Sequence, residues 1–190
     1  MPSPSRPKIY LAGPDVFYPD AVARLQRHLE LCAQLGLEAL VPVDNDLVEG
    51  TPREQALGIY RGNLEKMRRA DGVIANITPF RGPHMDPGTA FEIGFFVAQA
   101  KPVVCYSSNL TALADRVRTW SQQSTAAPSP RDKDGALIED FGLAENLMIE
   151  GAVVHRSLGH GVAADQVLTC FEGFASAARA MAQYLSLIHI

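Results

Sequence analysis

Short apolar runs alternate with amphipathic stretches along most of this chain, separated by polar or glycine–proline breaks. Lys8-Ile9-Tyr10-Leu11-Ala12 is apolar at nearly every position and stops at Gly13-Pro14, which predicts a central strand. Pro19 and Asp20 open a stretch in which Ala21, Leu25, Leu29 and Cys32 recur at helical spacing, and Gly36 suits its end. Residues 37–41 predict a second strand, followed by a polar loop over 42–46. Thr51-Pro52-Arg53-Glu54 has the residues of a capping box, so a second helix should run to about Ala70. Asp71-Gly72 predicts a turn and residues 73–77 a third strand, apolar enough to be covered on both faces. A loop over 78–85, an apolar helix from Gly88 to Ala100 and a fourth strand over 102–106 come next. Residues 110–120 suggest a further helix, Val153-Val154 a fifth strand, and 163–184 a C-terminal helix.

Strands alternating with helices through short links predict an α/β fold, a doubly wound parallel five-stranded sheet with helices on both faces. Residues 8–184 read as one domain. Residues 1–7, rich in proline and serine, form an expected flexible arm, and 107–134 a variable insert that is polar over 121–134. The tail 185–190 is oddly apolar for a chain end and reads as appended.

Composition removes several classes of function. A formal net charge of −4 argues against a nucleic-acid partner, which would want a basic face. Cys32, Cys105 and Cys170 are odd in number, far apart and set among apolar neighbours, as reduced thiols of a cytoplasmic protein would be. No CxxC or HExxH spacing occurs and the histidines do not cluster, so neither a metal nor a cofactor is expected. No apolar run reaches membrane-spanning length.

The candidate chemistry centres on Glu92, the single charge in the run 88–100. A buried carboxylate is costly unless it has a partner or a task. Asp86 caps the start of that helix with Pro87 behind it, and Gly88 and Gly94 leave the surface around Glu92 bare. In an open parallel sheet, ligands bind at the carboxyl ends of the strands, where the strand order reverses. Asp15, Asp46, Asp86 and Glu92 should collect there with Tyr10, an acidic set suited to a neutral ligand rich in hydroxyl and NH groups. Paired carboxylates serve glycosidic chemistry, one at the anomeric carbon and the other managing a proton on the leaving group.

Four stretches in order, Lys8 to Phe17, Asp71 to Asn76, Asp86 to Gly94 and Glu145-Asn146-Leu147-Met148, resemble the nucleoside 2-deoxyribosyltransferases. The resemblance implies a flavodoxin-like fold and a ping-pong exchange of the base on a 2′-deoxyribonucleoside, with a free nucleobase as acceptor. By position it makes Glu92 the nucleophile, Asp86 the acid near the base, and Tyr10 the phenol that orients the nucleophile. Gly13, Phe17 and Gly88 fall in the same matching stretches and are expected to line the substrate. Asn146 and Met148 resemble residues that complete a neighbouring subunit's site at the sugar 5′-hydroxyl, implying a homo-oligomer. Asn63 stands where the family has an aspartate, and Asp46 where it often has a base-reading glutamine. An aspartate there can accept from base NH groups but cannot donate, which bears on base choice.

Two other readings stay open beside the transferase. One is an N-glycosidase acting on nucleosides or 5′-monophosphates with the same fold, against which Asp15 would repel a phosphate. The other is a nucleoside sensor, which would have no need of a carboxylate at Glu92.

Overall fold

The computed structural model describes residues 5–42, 49–122, 130–153, 155–157 and 170–188, without the side chains of 155–157, 170 and 188. Strands β1 (Lys8–Ala12), β2 (Glu38–Leu40), β3 (Gly72–Asn76), β4 (Val103–Tyr106) and β5 (His155–Ser157) pair in the order β2-β1-β3-β4-β5. Every pairing is parallel. That order is the flavodoxin-like arrangement, with the reversal between β1 and β3. The helices are α1 (Ala21–Gln34), α2 (Pro52–Arg69), α3 (Pro87–Ala98), α4 (Leu113–Trp120), α5 (Leu147–Glu150) and α6 (Cys170–Ile188).

The alternation of side chains along β1 assigns the two layers. Ile9 and Leu11 point into one core with Leu25 and Cys32 of α1 and Phe174 and Met181 of α6. Tyr10 and Ala12 point into the other, with Met67 of α2 and Ile93 and Phe96 of α3. Both faces of β3 are covered, and all five of its residues are buried.

Local signals act as the sequence suggests in several places. Thr51 and Glu54 form the reciprocal capping box at α2, and Gly36 takes a φ of 77° past α1. Helix α1 does start directly after Asp20, whose carboxylate binds Arg24 rather than a backbone amide. Several expectations need correcting. The turn expected at Asp71-Gly72 is shorter, because Gly72 already belongs to β3 and Asp71 accepts the Lys8 amide. The helix α3 is not buried all round: Ile93 and Phe96 face the core, whereas Phe91 is 52% and Val97 45% exposed.

At the chain ends, sheet bonding extends into the expected arm, since the Glu38 amide donates to the Pro7 carbonyl. Val153 precedes β5 rather than forming it, and Val154 lies outside the described residues. The same is true of 163–169, expected to begin the last helix. Residues 185–188 continue α6, with Leu185 in the core, because an apolar residue in phase with Met181 packs on the sheet. Among the described residues no helix is long and apolar enough to cross a membrane.

Candidate active site

Tyr10 and Glu92 meet where the sequence is most conflicted, a charge facing a buried strand. Tyr10 sits on β1 with no exposed surface, and its hydroxyl donates to Glu92 Oε1 at 2.7 Å. Glu92 lies on the second turn of α3 and is half-buried. Burial pushes its carboxyl up to about 7; the Tyr10 hydrogen bond opposes the rise and the Asp86 charge adds to it. Burial and the Glu92 charge hold Tyr10 far above the usual phenol range, so it remains a neutral donor. A carboxylate with one oriented lone pair engaged and the other oxygen available is a usable nucleophile near neutral pH.

Asp86 begins the same helix. Its Oδ2 accepts from the Thr89 amide at 2.9 Å and the Thr89 hydroxyl at 3.1 Å, so it is a true N-cap. Oδ1 has no partner among the described residues. Gly94 has open space where a side chain would stand, as expected. Gly88 differs: a Cβ there would come within 2.9 Å of Asp86 Oδ2, so its smallness protects the cap.

The loop after β1 approaches β3 closely. Gly13 has a φ of 150°, and a Cβ on it would lie 2.6 Å from the Asn76 Cβ, so glycine is required. Phe17, 56% exposed, stacks on Phe80 at 5.4 Å, with Arg81 over both rings. These rings form an apolar wall at the carboxyl end of the sheet. Asp15 is placed differently from expectation. It is 5% exposed and turned inward, accepting from Asn76 Nδ2 at 2.8 Å and the Tyr106 hydroxyl at 3.4 Å, with Arg24 at 3.7 Å. Its charge is therefore spent on the scaffold and does not face the crevice.

Asn146 caps the short helix α5, its Oδ1 accepting from the Met148 amide and its Nδ2 donating to Glu139. Met148 is 73% exposed and Leu147 42%. The helix α5 packs beside α3, which brings Asn146 to the same side of the molecule as Glu92. Asn63 is half-buried on α2, which packs on α3 and β1. Asp46 lies outside the described residues.

Three polar residues escaped the sequence reading. Glu139 binds the Asn146 side chain and the Leu147 amide; Glu145 and Arg116 form a buried pair at 3.1 Å. Glu145 was quoted as the first residue of a matching stretch, but nothing in that stretch gave it a role. Arg116 carried no signal, lying inside the expected insert 107–134, and Glu139 follows that insert in a stretch with no motif.

Comparison with known proteins points to one family. The family model described as nucleoside 2-deoxyribosyltransferase matches residues 9–148. An uncharacterized protein of Schizosaccharomyces pombe is 33% identical over 198 aligned residues, covering 96% of this chain and 92% of that protein. The solved structure of a 2-desoxiribosyltransferase from Leishmania mexicana superposes with a TM-score of 0.66 at 27% identity, covering 94% of this chain and 98% of that one. A conserved protein from Enterococcus faecalis shares the fold, with a TM-score of 0.51 at 21% identity over 92% of this chain and 98% of its own. With the family model spanning most of the strands and the Tyr10–Glu92 pair, the chain belongs to the nucleoside 2-deoxyribosyltransferase family.

Proposed function

We propose that the protein exchanges the base of a 2′-deoxyribonucleoside for a free purine or pyrimidine by two displacements at the anomeric carbon. The observation that carries this reading is the 2.7 Å bond from a buried tyrosine to the half-buried Glu92. In the first displacement, ionised Glu92 bonds to C1′ as the N-glycosidic bond breaks. The departing base receives a proton that Asp86, whose Oδ1 is open to a ligand, takes up from solvent and passes on. In the second, an incoming base attacks C1′, Asp86 takes back its proton, and Glu92 leaves as the carboxylate. Two inversions give net retention. Lacking a 2′-hydroxyl, the sugar supports positive charge at C1′ readily, so one carboxylate with an oriented partner suffices.

Gly13, Phe17 and Gly88 line the substrate in this reading, with the Phe17–Phe80 wall against the base, while Asn63 and Asp46 complete the base side. Asn146 and Met148 of a second copy close the site over the sugar 5′-hydroxyl. The exposure of Met148 and Leu147 beside a polar cap suits such a shared site, in a homo-oligomer.

A hydrolytic reading, toward nucleosides or 5′-monophosphates, gains one observation. The inward turn of Asp15 removes the charge expected to repel a phosphate. Incubating deoxyinosine with and without adenine separates the two. Exchange predicts deoxyadenosine formation with little hypoxanthine released when adenine is absent. Equal hypoxanthine release without adenine, and no deoxyadenosine with it, would establish hydrolysis instead.

A further inference from the structure

Glu145 is 1% exposed, the most deeply buried carboxylate among the described residues, and the proposed chemistry leaves it unused. Its two oxygens serve different segments. Oε2 accepts from the Met85 amide and from Arg116 Nη2, each at 3.1 Å. Oε1 accepts from the Asn146 amide at 3.1 Å and faces His84 Nδ1 at 3.3 Å. Met85 directly precedes Asp86, and Asn146 directly follows Glu145. One carboxylate thus pins the residue beside the proposed acid and the residue proposed to hold the sugar. Arg116 braces the arrangement from behind. Its Nε donates to the Pro83 carbonyl at 2.8 Å and its Nη1 to the Thr111 carbonyl at 2.6 Å, so it grips the loop that carries Asp86.

We propose that Glu145, braced by Arg116, is a positioning residue that holds two segments in place at once, the Asp86 segment of its own chain's site and the Asn146 segment that closes the site of a second copy. This rests on the functional reading above in giving Asp86 and Asn146 contact with substrate. Stability alone is a poor reason for this pair. Desolvating two charges offsets most of their attraction, and apolar residues of similar volume often serve a fold as well. What apolar residues cannot supply is direction. A carboxylate accepting from backbone amides of two separate segments fixes their distance to within a hydrogen bond, and displacement of reacting groups by about 1 Å lowers turnover about a hundredfold.

The test uses Glu145→Gln and Arg116→Lys in the full chain. The glutamine must turn its NH2 group toward the Met85 amide and Arg116, or toward the Asn146 amide and His84, so one segment has to shift. The lysine keeps a charge opposite Glu145 but loses the forked grip on Pro83 and Thr111. Unfolding midpoints are measured first, and kcat and KM for base release from deoxyinosine are then measured well below them, with and without adenine. Folded variants are expected to lose about tenfold or more in kcat and to show a raised KM for deoxyinosine. Lowered midpoints with kcat and KM at their original values would overturn the proposal and leave the pair purely structural. Should Glu145→Gln not fold, Arg116→Lys carries the same split. Base release by the unmodified protein without transfer to adenine would sink the transferase reading separately, since release alone reports the positioning effect.

Discussion

Glu92 holds opposing tendencies at one atom pair. Burial favours its neutral form, and the Tyr10 hydroxyl favours the charged form that the proposed attack requires. The rate of base exchange should therefore rise with pH through about 7 as Glu92 ionises. Tyr10→Phe removes the bond that favours the ion, so Glu92 should titrate higher and the rising limb should move to higher pH. A limb that stays in place, or moves to lower pH, would remove Tyr10 from this role. The same competition has a stability consequence. A carboxyl titrating at about 7 when folded, against an ordinary 4.5, binds its proton more tightly in the native state. Native stability therefore falls as pH rises from 4.5 to 7, then levels. Glu92→Gln has no such loss. It should be more stable than the unmodified chain by about 2–3 kcal/mol at pH 8, and equal to it at pH 4, in denaturant titrations. An equal stability at both pH values would mean that Glu92 is not strained by burial.

At the scale of elements, the helix start at Asp86 serves structure and proposed chemistry together. Asparagine caps a helix about as well as aspartate. Asp86→Asn should therefore unfold within about 0.5 kcal/mol of the unmodified chain, yet lose about a hundredfold in exchange because it cannot donate a carboxyl proton. Retained activity would reduce Asp86 to a cap. Strand and helix positions were largely legible because period and capping chemistry are local: the Thr51–Glu54 box and Gly36 act as their spacing suggests. What the sequence misjudged was tertiary. The apolar circumference of α3 suggested complete burial, but a helix packed on one sheet face leaves Phe91 and Val97 outward. Asp15 looked like a crevice residue by its loop, and the close approach of Gly13 to Asn76 turned it inward. No local pattern reports which way a loop carboxylate points.

For the whole molecule, the β1–β3 reversal places the loops after both strands and the start of α3 at one end of the sheet. Alternation predicted the parallel sheet and loops at its carboxyl end, and the family resemblance implied the flavodoxin-like arrangement. The supporting polar shell was not legible in this way. Glu145, Arg116 and Glu139 lie far from Glu92 in sequence, and a pairing across 29 residues, such as that of Glu145 with Arg116, leaves no periodic trace. Leu147 and Met148 are the exposed apolar residues that the proposed second copy would cover.

The central proposal is a covalent bond between Glu92 and the sugar. A 2′-fluoro-2′-deoxyarabinosyl purine tests it most directly, because fluorine at C2′ disfavours positive charge at C1′ and slows resolution of the intermediate. Intact-protein and peptide mass spectrometry after mixing should show one fluorinated sugar per chain, on the peptide containing Glu92, with an equal amount of base released. Stoichiometric base release from a chain of unchanged mass, or a sugar found on another residue, would contradict it.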